Sequence, residues 1–357
     1  MGRNTFTFDW VIAIPAGILS LLGLSALASL SPSLVWFQGA FIILGIILFF
    51  VFSHIDVHIY EQMAPLLFVL SCIFLFIPLL FPDVRGSSRW IFLGPLQIQP
   101  SELIKPSLIL FLAWFFKRFS ISHPGKALFG GMLFFIPTFL VFRQPDLGNV
   151  LVYLFCFMAI ILMAGLPRGT IFIVILFSMI VLPISTFFLH DYQKNRLVSF
   201  LSPSSDALGT GYNGLQALIT TGSGQLFGRG FGRGVQSHLR FLPEYHTDFI
   251  FSSFVEEFGL VGGLFLLCVF FFLLWTLVNK AQHEKNMFRL LFIVGVCTQI
   301  FIQVFINAGM NMGIVPITGI TLPLVSYGGS SCVATWITLG ICSSIRKKRY
   351  ESTLAIR

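Results

Sequence analysis

Apolar runs long enough to cross a bilayer follow one another along this chain, and they restrict its fold more than any other feature. A membrane-spanning helix needs about 20 apolar residues, and about ten such runs lie near residues 8–29, 33–53, 64–82, 101–116, 127–142, 149–165, 169–190, 249–279, 288–308 and 322–345. Hydrocarbon offers backbone amides no water, so each run must close its hydrogen bonds within itself as a helix. The composition agrees: 10% charged residues, 43 Phe and a mean hydropathy of +0.90 lie outside the soluble range. The sequence therefore predicts an all-α integral membrane protein with about ten transmembrane helices and a long outer loop between helices 7 and 8. No internal repeat or low-complexity linker divides it, so residues 1–357 read as a single multi-pass domain. The first run is long for a signal-peptide core and reads as an uncleaved helix. All six cysteines fall inside apolar runs, which predicts free buried thiols rather than disulfides or a metal cluster.

Charge then sets the orientation. With the N-terminus cytoplasmic, an even number of spans returns the C-terminus to the same side, and most Lys and Arg fall in short inner loops or the Arg346-Lys-Lys-Arg349 tail. The remaining basic residues, Arg85, Arg89, Lys105, Arg143, Lys194, Arg196, Arg229, Arg233 and Arg240, gather at the outer side. Together they predict a positive field over the outer mouth, suited to an anionic ligand. Nucleic acid is not the expected partner, because these arginines face away from the cytoplasm.

The outer loop, residues 191–247, is roughly 57 residues long and runs directly into Asp248-Phe-Ile-Phe251. Loops of that length are uncommon unless functional or disordered, and Asn195–Leu201 and Tyr212–Ile219 carry helical amphipathic spacing suited to a membrane surface. Thr247 reads as a helix N-cap with Asp248 in the first turn. That gives Asp248 two readings: an acid complementing the helix dipole, or a partly desolvated carboxylate whose raised proton affinity suits a general base. Glu102 and Lys105, three apart, share a helix face and pair either structurally or to meet an anionic head group. Asp146 sits in a short polar turn. Glu256 and Glu257 lie about 12 Å along a helix from Asp248, too far for a paired-carboxylate mechanism. Gly222 to Gly234, with Arg229 and Arg233, offers backbone amides and guanidiniums as a pyrophosphate cradle, although it matches no phosphate-binding fingerprint. His54, Asp56 and His58 read as ordinary loop residues, so no metal site is expected. Asn307 to Ser331, rich in Gly, Pro and Thr, is irregular backbone where a helix should enter, which is tolerated at membrane depth only when buried or lining a cavity.

With these residues in view, the chain resembles the SEDS (shape, elongation, division and sporulation) family, the RodA/FtsW/SpoVE group. The blocks that carry the resemblance run in order: Arg89-Trp90, Gln99-Pro-Ser-Glu102 with Lys105, Gln144-Pro-Asp-Leu-Gly148, Gly211-Tyr212 with Gln216, Gly222-Ser-Gly224, Leu242-Pro-Glu to Asp248-Phe-Ile-Phe251, and Asn307 through Gly313-Ile-Val-Pro316 to Leu324-Val-Ser-Tyr-Gly-Gly-Ser-Ser331. Gln236-Ser-His-Leu before Phe241-Leu-Pro-Glu is more similar to RodA, the elongation member, than to FtsW. Asn149 and Phe258 depart from the usual Thr and Leu.

The resemblance implies a bacterial inner-membrane peptidoglycan glycosyltransferase that polymerises lipid II, with inversion, during wall elongation and shape maintenance. A division-type FtsW-like polymerase and a lipid II flippase stand as alternatives. It implies Asp248 as the catalytic acid. Beside it, Arg89, Glu102, Lys105, Asp146, Arg196, Gln216, Ser223, Arg229, Arg233 and Ser326 are the expected substrate-binding residues, and a subset of Arg89, Lys105, Arg196, Arg229, Arg233 and Arg240 would stabilise the departing pyrophosphate. Undecaprenyl pyrophosphate would be the leaving group, with no certain cofactor beyond a divalent cation, Mg or Mn, on that pyrophosphate. A class B penicillin-binding protein is the implied transpeptidase partner.

Overall fold

A computed structural model of the chain describes residues 9–81, 88–94, 96–119, 124–165, 169, 194, 196, 198–200 and 210–345. The run predicted at 169–190, most of the loop at 191–209 and the Arg346–Arg349 tail lie outside these residues. Among the described residues the chain is a helical bundle that spans the membrane several times. Its first elements are α1 (Trp10–Leu30), α2 (Pro32–His54) and α3 (Val57–Phe76), the last extended by a 3₁₀ turn to Leu80. Next come α4 (Pro100–Leu103), α5 (Lys105–Arg118), α6 (Pro124–Arg143) and α7 (Leu147–Met163). Within the 191–247 loop lie α8 (Thr210–Ser223) and α9 (Val235–His238), and after it follow α10 (Ile250–Gln282), α11 (Met287–Asn311) and α12 (Gly329–Ser344). Five of the described spans have the length and composition to cross a bilayer: α1, α2, Val57–Leu80, α10 and α11.

Helix boundaries follow local chemistry. Pro32 opens α2 at a position where its missing N–H costs nothing. Asp56 caps α3 by accepting from His58 N at 2.8 Å, which accounts for one member of the His54-Asp56-His58 turn. Asn286 caps α11 through Phe288 N and Arg289 N. The central element is α11, packed on α5, α7 and α10, while α12 packs along α2 and α1 along α10. Small residues allow the closest approach: a Cβ on Gly45 of α2 would lie 2.4 Å from the Trp336 ring of α12.

Beside the helices, Ile91–Leu93 (β1) and Leu96–Ile98 (β2) form a small antiparallel hairpin with Ile91 opposite Ile98, because Gly94 turns the chain at φ 62°. Two expectations need correction. The last run begins as helix at Gly329 rather than near 322, since Leu324 turns the chain with a positive φ of 66° before it. The cysteines are not all buried: Cys156, Cys332 and Cys342 are, whereas Cys72 and Cys297 are half-buried and Cys268 is exposed on α10.

Candidate active site

Asp248 closes a compact turn, and its backbone is held from three directions. Asn307 Nδ2 donates to the Asp248 carbonyl at 3.0 Å and to Ile320 O at 2.7 Å, and Asn311 Nδ2 reaches the same Asp248 carbonyl at 3.1 Å. Ser326 Oγ donates to Thr247 O at 2.8 Å, and Tyr327 N to His246 O at 2.9 Å. From α2, Gln38 Nε2 donates to Ser326 O and Gln38 Oε1 accepts from Gly328 N. An apolar cluster of Ala217, Leu242 and Phe249, with Tyr245 and Ile317 against it, packs α8 under the same turn. The bonds that reach the Asp248 turn use its main-chain atoms. They fix where the Asp248 side chain starts without consuming it.

The predicted helix cap is not formed. The helix begins at Ile250 without a side-chain cap, and Thr247 Oγ1 donates to Glu244 O at 3.3 Å instead. Asp248 therefore precedes the helix by two residues rather than lying in its first turn. Its half-buried carboxyl has its pKa raised from 3.8 to about 6, by burial first, with the nearby Arg89 and Arg196 guanidiniums pulling it back down. Gly319 fits between acid and base: a Cβ there would lie 3.3 Å from Asp248 Oδ2 and 3.8 Å from Arg196 Nη1. Its φ of 75° would strain any other residue.

Unspent polar atoms accumulate around this point. Arg89 Nε, His246 Nδ1, Thr318 Oγ1 and Gln216 Oε1 are buried without a protein hydrogen-bond partner. Buried polar atoms are normally satisfied, so these four suit a polar ligand. Burial keeps the His246 imidazole pKa low, and its ring packs near Tyr327.

The other predicted residues separate into distinct places. Glu102 and Lys105 form a buried ion pair at 2.6 Å where α4 meets α5. The buried Asp146 carboxylate caps α7 and is committed to Gln99 Nε2, Ser101 Oγ and Asn149 Nδ2, each at 2.9 Å. Gln99 N in turn donates to Ser330 Oγ at 2.9 Å, joining this network to α12. Ser326 is nearly buried and holds the Asp248 turn through the main chain. Ser223 Oγ donates to Thr220 O, the bond that closes the end of α8.

Arg229 and Arg233 lie on a different feature. Gly259 breaks α10 with φ 72° and ψ −174°. The glycine-rich stretch docks into that break: Arg229 N donates to Glu256 O and Gly230 N to Glu257 O, while Leu260 N and Val261 N donate to Gln225 O and Leu226 O. Two of the amides expected to cradle a pyrophosphate, Arg229 N and Gly230 N, are thus spent on the helix. Glu256 is buried and caps α9, accepting from Gln236 N at 2.8 Å and from Ser237 N and Oγ at 3.1 and 2.6 Å. Glu257 accepts from Ser29 Oγ and pairs with His238 Nε2.

Sequence reasoning missed Asn311, Gln38 and His246 as parts of this site, and it saw Asn307 only within a motif. Gln299, Gln303, Asn307 and Asn311 follow one another at four-residue spacing on α11, so their amides share a face. That spacing was the available signal. Among the described residues no three His, Cys, Asp or Glu side chains converge as metal ligands.

A membrane-embedded helical bundle that sets one carboxylate under the influence of two guanidiniums, with several unsatisfied buried polar atoms in the chain around it, defines an enzyme-like site suited to an anionic ligand. The sequence matches the cell cycle protein family of FtsW, RodA and SpoVE over residues 8–351, and the chain belongs to that family. It is 38% identical to the peptidoglycan glycosyltransferase MrdB of Escherichia coli K12 over 314 residues, 86% of this chain and 84% of that one. Its fold is similar to that of a chain in a structure of a peptidoglycan synthase complex that coordinates polymerization and crosslinking, with a TM-score of 0.82, 29% identity and coverage of 97% and 99%. It is similar too to the rod shape determining protein RodA of Thermus thermophilus, with a TM-score of 0.73, 29% identity and coverage of 98% and 100%.

Proposed function

We propose that this protein is a peptidoglycan glycosyltransferase that polymerises lipid II, with Asp248 as general base. The observation that carries this reading is the Asp248 carboxyl, raised to about 6 and flanked by Arg89 and Arg196. The 4-hydroxyl of an acceptor GlcNAc attacks the anomeric carbon of a donor MurNAc, and undecaprenyl pyrophosphate leaves as the α linkage inverts to β. One in-line displacement requires one base and no covalent intermediate. A base with a pKa close to working pH is matched to that transfer. The leaving group is already anionic, so it needs cations rather than an acid, and Arg89 and Arg196 supply them beside the base.

A divalent cation, Mg or Mn, would be carried by the substrate pyrophosphate rather than by a dedicated cluster of side chains. A class B penicillin-binding protein is the partner that would crosslink the strands, in keeping with the similarity to a chain of a synthase complex. Lys280 lies at the end of α10 opposite Asp248, which supports cytoplasmic termini and an outer active site. The likeness to MrdB and to a rod shape determining protein favours elongation. Depletion should then give round cells, and filaments would assign the protein to division.

Polymerisation of lipid II by the purified protein with its transpeptidase partner tests the base directly. Asp248→Asn is expected to lose about 10²–10⁴-fold in rate. Glycan chains of near-normal yield from that variant would remove Asp248 from the mechanism.

A further inference from the structure

The exposed apolar face of α10 begins abruptly. From Leu260 and Val261 through Leu264 and Phe265 to Trp275 and Val278 it is lipid-like, whereas Ile250 to Glu257 are buried. The rise from Leu260 to Val278 is about 27 Å, close to the thickness of a bilayer hydrocarbon core. Lys280, paired with Asp9 at 2.7 Å, closes the far end with charge. Leu260 therefore marks the hydrocarbon edge on the Asp248 side.

The strap that docks into the α10 break is bonded at that same level, through Leu260 N to Gln225 O at 2.8 Å and Val261 N to Leu226 O at 3.1 Å. It then presents apolar side chains outward: Phe227 is 81% exposed, Leu239 64% and Phe231 57%. Between them stand the exposed Arg229, Arg233 and Arg240, and residues 225–241 contain no acid. Large exposed phenylalanines do not suit an aqueous loop. At a membrane interface, aromatics fit the boundary between head groups and chains, and arginines fit phosphates.

We propose that residues 225–241 are an interfacial strap that seats Phe227 and Phe231 at the edge of the acyl layer and binds the phosphates of anionic phospholipids through Arg229 and Arg233. The surface it fits is a bilayer, because its apolar side chains continue the lipid-facing stripe of α10 at the depth where that stripe ends. The cationic side chains lie where head-group phosphates lie. This role stands apart from catalysis and holds whether or not Asp248 is the base.

The test uses the full-length protein in nanodiscs of phosphatidylcholine alone or mixed with phosphatidylglycerol. The emission added by Phe227→Trp over the unsubstituted chain should shift to shorter wavelength and lose about half its intensity when the acyl chains are brominated, as for a side chain at the interface. Phe231→Trp, which leaves Phe227 in place, serves as the second reporter. Quenching should be stronger with phosphatidylglycerol, and Arg229→Gln with Arg233→Gln should abolish that preference. Water-like, unquenched emission from both reporters overturns the proposal, as does emission that moves only when a second protein binds. Quenching that ignores phosphatidylglycerol while the arginines are intact overturns the phosphate contact.

Discussion

Asp248 is subject to two opposed influences: burial raises its proton affinity, and Arg89 and Arg196 lower it. The balance near 6 makes the ionised base the major form at neutral pH. Polymerisation should therefore rise with pH through about 6 and fall about tenfold per unit below it. Arg196→Gln removes one of the lowering influences, so the acid limb should move to higher pH. A limb that stays in place would separate Arg196 from Asp248. Stability runs the other way. Between the unfolded value of 3.8 and the folded value of about 6, the native state holds a proton that the unfolded chain has released. This contribution weakens the fold as pH rises through that window and stays unfavourable above it. Asp248→Asn should thus raise the thermal midpoint at pH 7 while losing activity, a pairing that a merely structural acid would not give. The sequence showed the cost of an acid at a membrane edge. It could not show the anchoring of the turn, because Asn307 and Asn311 follow it by 59 and 63 positions.

At the scale of elements, the glycine-rich strap illustrates why one motif admits two readings. Glycines that expose amides look alike whether those amides receive a phosphate or the carbonyls of a broken helix. The distinguishing residue is Gly259, which lies inside an apolar run and gives no sign of a break. In the structure a Cβ on Gly228 would lie 2.1 Å from Glu257 O, and its φ is 81°. Gly228→Ala must therefore displace the strap, at a cost on the order of 2–4 kcal/mol. Thermal unfolding measures that cost, and faster proteolysis within residues 225–241 would locate it. A variant as stable and protease-resistant as the native chain would mean that the strap does not dock. Helix starts carry a local signal at Pro32, Asp56 and Asn286, whereas at Ile250 tertiary bonds replace a cap; even so, the apolar run placed the Ile250 start within one residue and missed the start at Val57 by seven.

At the scale of the molecule, the apolar runs located nearly every described helix, because hydrocarbon leaves the backbone no alternative. What they could not locate is the polar interior. Glu102 and Lys105 are buried at the α4–α5 junction, and their three-residue spacing was equally consistent with packing and with ligand binding. The structure narrows the choice. Lys105 Nζ has three donors, its ion-pair partner is Glu102, and it is buried. Removing either member alone strands a charge in the bundle and should cost about 3–5 kcal/mol. Removing both, as Glu102→Gln with Lys105→Met, removes the desolvation penalty along with the attraction and should restore most of that stability. Activity then separates the two roles. If the unspent ammonium donors face substrate phosphate, the double variant will fold and fail to polymerise lipid II. If the pair only joins α4 to α5, the double variant will recover activity together with its thermal midpoint.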